Sequence, residues 1–133
     1  MAQMVSKTTL EAPEVDVLLN PKVAHSIGVQ VGSTGVSTKD ANGNLVIKAG
    51  TPVGGTVSAL DVRNTVLTMT NTSATGANAQ GVLRHDVVFK NGSTVENGTL
   101  VVVGVVDSSK CPTIVAEAKT ALTHIVFQNG GSY

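Results

Sequence analysis

Two aliphatic stretches dominate the pattern of apolar and polar positions along this chain. Residues 79–89 have the composition of one strand, and residues 100–106 are a run of Leu and Val that only Gly104 interrupts. A run of β-branched residues between turn residues is typical of a buried strand. Two Asn-Gly pairs lie in the segment that joins the stretches, and such pairs favour turns. We therefore predict that the two strands form the centre of a β-rich domain.

Shorter strands surround this pair. Apolar residues alternate with polar ones in residues 26–31, which is typical of a half-buried strand. Asn42 and Gly43 predict a tight turn ahead of the next strand, because both tolerate positive φ. Further strands are expected at residues 45–47, 56–60 and 62–69. We interpret residues 49–55 as a turn, and residues 71–78, which are small and polar, as an exposed loop.

One helix is expected near the C-terminus, at residues 113–122. Pro112 precedes it, and proline is favourable at a helix start because its missing N–H would have no partner there. Helical spacing places four apolar residues on one face: Ile114, Val115, Ala118 and Leu122. A last strand is predicted at residues 124–127.

The first 25 residues match a packed element poorly. Val15, Val17 and Leu19 alternate with other residues, as in an extended segment, and Pro21 follows them. Proline disfavours growth into a central strand. Two interpretations stay open: a frayed terminus, or an arm that adds a strand to a neighbouring subunit. We accordingly divide the chain into an N-terminal arm, residues 1–25, and a single β-rich domain, residues 26–133.

Composition narrows the range of partners. The 133 residues carry nine basic and nine acidic side chains, and only 2% are aromatic. Nucleic-acid binding requires a positive footprint, and stacking on bases requires aromatic rings, so we expect no nucleic-acid partner. No stretch is long and apolar enough to span a membrane. The first residues do not have the pattern of a secretory signal, so we expect synthesis in a cytoplasm.

Candidate catalytic and metal-binding residues are scattered. The three histidines and the single cysteine, Cys111, do not have the spacing of a zinc site. His85 and Asp86 are adjacent, but neighbours on a strand point to opposite faces and cannot form a hydrogen-bonded dyad there. Cys111 lies beside Lys110, which could lower the pKa of its thiol, but no base has a recognisable position. We therefore expect no enzyme activity, no cofactor and no metal.

Three motifs along the chain are informative in combination. They are the turn Ala-Gly-Thr-Pro-Val-Gly at residues 49–54, the strand Gly-Val-Leu-Arg-His-Asp-Val at residues 81–87, and the aliphatic strand at residues 100–107, which leads to Lys-Cys-Pro at residues 110–112. These motifs resemble tailed-phage head decoration and head-fibre proteins, over residues 40–127 at most. The order of elements is similar to that of lambda-type decoration proteins. The resemblance implies a mostly β fold: a small β-barrel or β-tulip-like domain with one short C-terminal helix and an extended N-terminal arm.

The same resemblance implies a function. Proteins of this kind bind the outer surface of an expanded phage capsid and cement it without catalysis, often as homotrimers. The expected partners are the major capsid protein and further copies of this chain, and the expected location is the outside of the virion, after synthesis in the host cytoplasm. By their position in the arm, seven residues are expected to contact the capsid: Thr8, Thr9, Leu10, Val15, Val17, Leu18 and Leu19.

Two alternatives stay open. The chain could be a head-fibre or adhesion module that binds the host surface, and residues 71–78 would then form the binding loop. It could also be a subunit of another β-rich bacterial or phage assembly, such as a tail tube.

Overall fold

A computed structural model describes residues 16–19 and 24–129 of the chain. The described residues form eight β-strands and one α-helix. The strands are β1 His25–Gly32, β2 Leu45–Ile47, β3 Pro52–Gly54, β4 Val66–Met69, β5 Ala79–Leu83, β6 Val87–Phe89, β7 Val95–Asp107 and β8 Ile125–Gln128, and the helix is α1 Ala116–Ala121.

Five of these strands close into a barrel. Their order is β1-β4-β3-β5-β7, and β7 pairs back to β1. β1 and β4 are parallel, while the other neighbours in the ring are antiparallel. Closure leaves the ring without a free edge. The mostly β, barrel-type fold with one short helix is therefore confirmed.

The central pair of strands is also confirmed. Val82 pairs with Val101 and Leu83 with Leu100 in the antiparallel β5–β7 ladder. Leu83 and Leu100 point into the barrel, whereas Val82 and Val101 point outward into a second apolar cluster. Both faces of this pair are buried, which explains why its sequence is almost continuously aliphatic.

The second cluster lies on the outside of the barrel. It joins the outer face of β5 and β7 to α1 and β8, with Ala118, Leu122 and Ile125 as buried members. β8 pairs in parallel with the C-terminal half of β7, beyond the part of β7 that belongs to the ring. The barrel wall is thus covered on this side by the C-terminal elements.

A separate two-stranded sheet, β2 with β6, adds its apolar side chains to the barrel core. Ile47, Val87 and Phe89 are members of that core. The turn before β2 is closed by Asp40, whose Oδ1 accepts hydrogen bonds from the amides of Asn42 and Asn44. Gly43 has φ of 81°, as the Asn-Gly pair predicts.

Several element boundaries differ from those expected. Residues 56–60 form no strand; the strand on this side is β3, inside the segment that we interpreted as a turn. Residues 79–89 are two strands in different sheets, because residues 84–86 separate β5 from β6. The helix has six residues rather than ten.

The predicted boundary after residue 25 separates residues that pack together in the structure. Residues 16–19 belong to the predicted arm, yet they pack against β7. The rest of the arm lies outside the described residues, apart from Ala24 and His25. The arm and its boundary stay a prediction, with residues 16–19 attached to the β domain.

Candidate interaction surface

Residues 16–19 add a short third strand beside the end of β7. Leu18 forms an antiparallel bridge with Val106. The amide of Leu19 donates to the carbonyl of Val105 at 3.1 Å, and the amide of Asp107 donates to the carbonyl of Val17 at 2.7 Å. Since β8 lies on the other side of the same part of β7, these segments form a three-stranded sheet that extends beyond the barrel.

A forked ion pair fixes the first of these residues. Arg84 Nε lies 3.2 Å from both carboxylate oxygens of Asp16, and Arg84 Nη2 lies 2.9 Å from Asp16 Oδ2. The Leu18 amide also donates to Asp16 Oδ1 at 3.0 Å. Burial by itself would raise the pKa of the Asp16 carboxyl, but the hydrogen bonds from Arg84 and Leu18 outweigh it, so this pKa lies below its ordinary value. The chain is therefore held at Asp16 by side-chain and backbone contacts together.

The seven residues expected to contact a capsid have different positions. Val17 and Leu18 are buried in the domain's own second apolar cluster. Leu19 is 37% exposed. The other four lie outside the described residues: Thr8, Thr9, Leu10 and Val15. Capsid contact stays a prediction for this set, and the side chains of Val17 and Leu18 are already engaged inside the domain.

One face of the three-stranded sheet carries a group of apolar side chains that reaches solvent. Leu19 is bonded to Val105, and Val105 pairs with Val126 of β8, so these three side chains form a row across the sheet. Val103 lies two residues before Val105 and therefore on the same face. Val103 is 44% and Val126 58% exposed. We call Leu19, Val103, Val105 and Val126 the valine face.

The opposite face of this sheet is apolar because it packs into the second cluster. Leu18, Val106 and Ile125 point into the second cluster. Gly104, with φ of 154°, allows β7 to pass close to Ala24: a Cβ at this position would lie 3.1 Å from the Ala24 Cβ. The valine face is thus the outer side of a sheet whose inner side packs into the second cluster.

Sequence reasoning missed Val103 and Val126 as surface residues. The run at residues 100–106 predicted burial throughout, and burial holds for Leu100, Val101 and Val106. The run alone does not say which of its valines remain exposed.

The residues considered for chemistry take structural roles. Asp86 Oδ1 accepts a hydrogen bond from the Ala49 amide at 2.7 Å, which fastens the turn after β2. Cys111 packs against Gly50, where an added Cβ would lie 2.8 Å from the Cys111 Cβ. Burial, and secondarily the charge of Asp107, raises the pKa of the Cys111 thiol to about 11. The interpretation that Lys110 lowers the pKa of the Cys111 thiol is therefore wrong. The thiol is poorly nucleophilic at neutral pH.

Residues 71–78 are held against the C-terminal segment. Asn71 Nδ2 donates to the Thr113 carbonyl at 2.8 Å, and Asn71 Oδ1 accepts from the Val115 amide at 3.0 Å. The hydroxyls of Thr72 and Thr75 bond to each other at 2.6 Å, and a 3-10 turn at Gly76–Asn78 follows. The segment is exposed near its middle, as predicted. Its first residue is held by the hydrogen bonds of Asn71, and its last three residues form the 3-10 turn.

No protein-family model and no curated protein matches this chain. Among residues 16–19 and 24–129, no group of three His, Cys, Asp or Glu side chains is placed to hold a metal ion. The helix in that part of the chain is too short and too polar to cross a membrane. The valine face and the anchored residues 16–19 are accordingly the features on which a functional proposal can be built.

Proposed function

We propose that this protein binds the outer surface of a phage capsid and stabilises the expanded shell, without catalysis. The resemblance of residues 49–54, 81–87 and 100–107 to head decoration and head-fibre proteins supports the proposal. So does the barrel with a short C-terminal helix, which is the architecture that the resemblance implies. The protein is then made in the host cytoplasm and acts on the outside of the virion.

The valine face is the observation that carries the proposal. One of its members, Leu19, belongs to the predicted N-terminal arm, which is proposed to lie on the shell. Burying the exposed part of each of Val103 and Val126 against a partner would contribute about 1–2 kcal/mol. A contiguous exposed apolar face marks an interaction surface more often than a surface of scattered apolar residues does.

The free side of β8 offers a second kind of contact. Among the strands of the described residues, β8 pairs with β7 alone. An extended segment of the major capsid protein could add to it as a further strand, with a net gain of about 1 kcal/mol for each main-chain hydrogen bond. The valine face and the β8 edge adjoin at Val126, so one partner can use both.

Assembly of several copies multiplies these small contacts. We propose that the protein acts as a homotrimer on the shell, where three sets of contacts engage together. Linked contacts raise the total affinity by about 10²–10⁴ without any new type of interaction. Modest contacts in each copy are therefore sufficient for a long-lived complex.

Binding to shells tests the proposal. Purified protein is mixed with expanded shells that lack it, and bound copies are counted after sedimentation, together with the temperature at which the shells lose their contents. We expect saturable binding and a higher disruption temperature. Val103→Asp should weaken binding at least tenfold, because it places a charge in the apolar contact.

Val95→Asp is the matched control. Val95 lies on the same strand, is 41% exposed and receives the same substitution. It lies eight residues from Val103, roughly 26 Å along the strand. Equal binding by the two variants, or binding that never saturates, would overturn the proposal.

A further inference from the structure

A second apolar surface lies on the loop between β3 and β4 and on the first residue of β4. Of the eight large apolar side chains that are exposed among the described residues, four fall within residues 57–66. They are Val57, Leu60, Val62 and Val66, between 43% and 60% exposed. Connecting loops are usually polar, because they run over the solvated surface. We call these four residues the loop surface.

The side chain of Gln80 holds this loop in place by three hydrogen bonds. Gln80 Nε2 donates to the carbonyls of Gly55, at 3.1 Å, and Val57, at 2.7 Å, while Gln80 Oε1 accepts from the Ala59 amide at 2.9 Å. Ala59 is fully buried in the barrel core. A loop fixed in this way loses little conformational entropy when a partner covers it.

The charges beside these apolar side chains have both signs. Asp61 and Arg63 are exposed on either side of Val62. Arg63 Nη2 makes one long contact, 3.4 Å, to the Gly28 carbonyl, and the only ion pair among the described residues joins other side chains, Arg84 and Asp16. A surface that carries one acid and one base around an apolar centre is complementary to a second copy of itself.

We propose that the loop surface is the contact between copies of this chain. Val57, Leu60 and Val62 of one copy pack against the same loop of a neighbour, and Asp61 of each copy faces Arg63 of the other. The contact is therefore two-fold, and it would join copies of different trimers on the shell. A partner of a single charge sign would satisfy only one of these two side chains. The second copy is therefore the occupant that the charges favour.

The size of the surface indicates how strong this contact is. The exposed parts of the four side chains total on the order of 300 Å², against roughly 800 Å² that each partner contributes to a standard interface. Copies free in solution should therefore associate weakly. If the proposed capsid function holds, neighbours on the shell meet at a high effective concentration, and the same contact becomes occupied.

Charge reversal tests the pairing of copies directly. Sedimentation velocity of the isolated protein, from micromolar to millimolar concentration, should show a weight-average mass that rises with concentration. Asp61→Arg and Arg63→Asp should each weaken this association at least tenfold, since like charges then face each other. An equimolar mixture of the two variants should associate again, to within about threefold of the wild type.

Lys90→Asp serves as the control for Arg63→Asp, because Lys90 is an exposed base on a 3-10 turn in a different loop. It should associate as the wild type does. A wild type that stays monomeric throughout, or a mixture of variants that fails to associate, would overturn the inference. Shell binding by the Val103→Asp and Val95→Asp pair is scored separately, so a failed copy-to-copy contact and a failed capsid contact are distinguishable.

Discussion

Asp16 and Arg84 are 68 residues apart in the sequence, and their side chains form a fork that closes at 2.9 Å between Arg84 Nη2 and Asp16 Oδ2. A backbone contact joins the same two segments, because the Val17 amide donates to the Arg84 carbonyl at 3.4 Å. This pair fixes the point at which the first fifteen residues of the chain join the β domain.

Removal of the fork should loosen residues 16–19. In Arg84→Met, the amide of Leu19, which donates to Val105 of β7, and the amide of Asp107, which donates to Val17, should exchange with solvent up to about fivefold faster. A partly exposed ion pair contributes less than about 1 kcal/mol. Hydrogen exchange measured residue by residue checks this. Arg63→Met is the control, because the Arg63 guanidinium makes a single long contact. Unchanged exchange at both amides would mean that the strand pairing alone holds the segment.

The ion pair also predicts a pH dependence. The pKa of Asp16 is lower in the folded protein than in the unfolded chain, so its contribution is present above the unfolded pKa, about 3.9, and is lost as the pH falls through the folded pKa. Urea midpoints of the wild type and Asp16→Asn should therefore differ at pH 7 and converge near pH 2. A difference that stays constant or grows on acidification would contradict this assignment.

Gly81 should tolerate no side chain, in contrast to Gly28. A Cβ at Gly81 would overlap the Val101 carbonyl and lie 2.8 Å from Leu100 Cγ, whereas a Cβ at Gly28 would meet nothing within 4 Å. Gly81→Ala should thus lower the free energy of unfolding by roughly 1–3 kcal/mol, while Gly28→Ala should change it by less than about 1 kcal/mol. Urea unfolding of both variants gives the comparison. Equal effects would show that the β5–β7 pair is not packed as described.

The Cys111 thiol should react slowly in the folded protein. With its pKa raised to about 11, the thiolate fraction at pH 8 is small, and the side chain is more than half covered. Alkylation by iodoacetamide should be at least tenfold slower than in the urea-unfolded chain at the same pH. Mass spectrometry of a time course measures both rates. Equal rates in the two states would mean that the thiol is neither buried nor shifted.

The sequence predicted the strands whose pattern is decided locally. Val82 and Val101 lie in apolar runs long enough to indicate burial on both faces of their strands. These strands are β5 and β7 of the barrel, and both residues are buried in the second cluster. β3 was missed because Pro52 and Gly54 are turn residues by composition; the structure seats them in a three-residue strand where Val53 faces the core. Local composition could not show that neighbouring strands would supply the pairing.

The candidate surfaces depend on contacts that are distant in sequence. Val103 is indistinguishable from Val101 in the aliphatic run, but the β1–β7 register shifts between them, since Ser26 pairs with Val101 and His25 with Val103. Gln80 supports a loop that lies more than twenty residues away, and Arg84 reaches Asp16 over a longer separation still. Periodicity describes single elements and therefore predicts neither relationship.

A cryo-electron microscopy map of expanded shells saturated with the protein tests the central proposal most directly. The capsid proposal predicts copies on the outer surface with the valine face, above all Val103 and Val126, within contact distance of the major capsid protein. Shells that carry no added density, or copies whose valine face points to solvent while another face meets the shell, would contradict it.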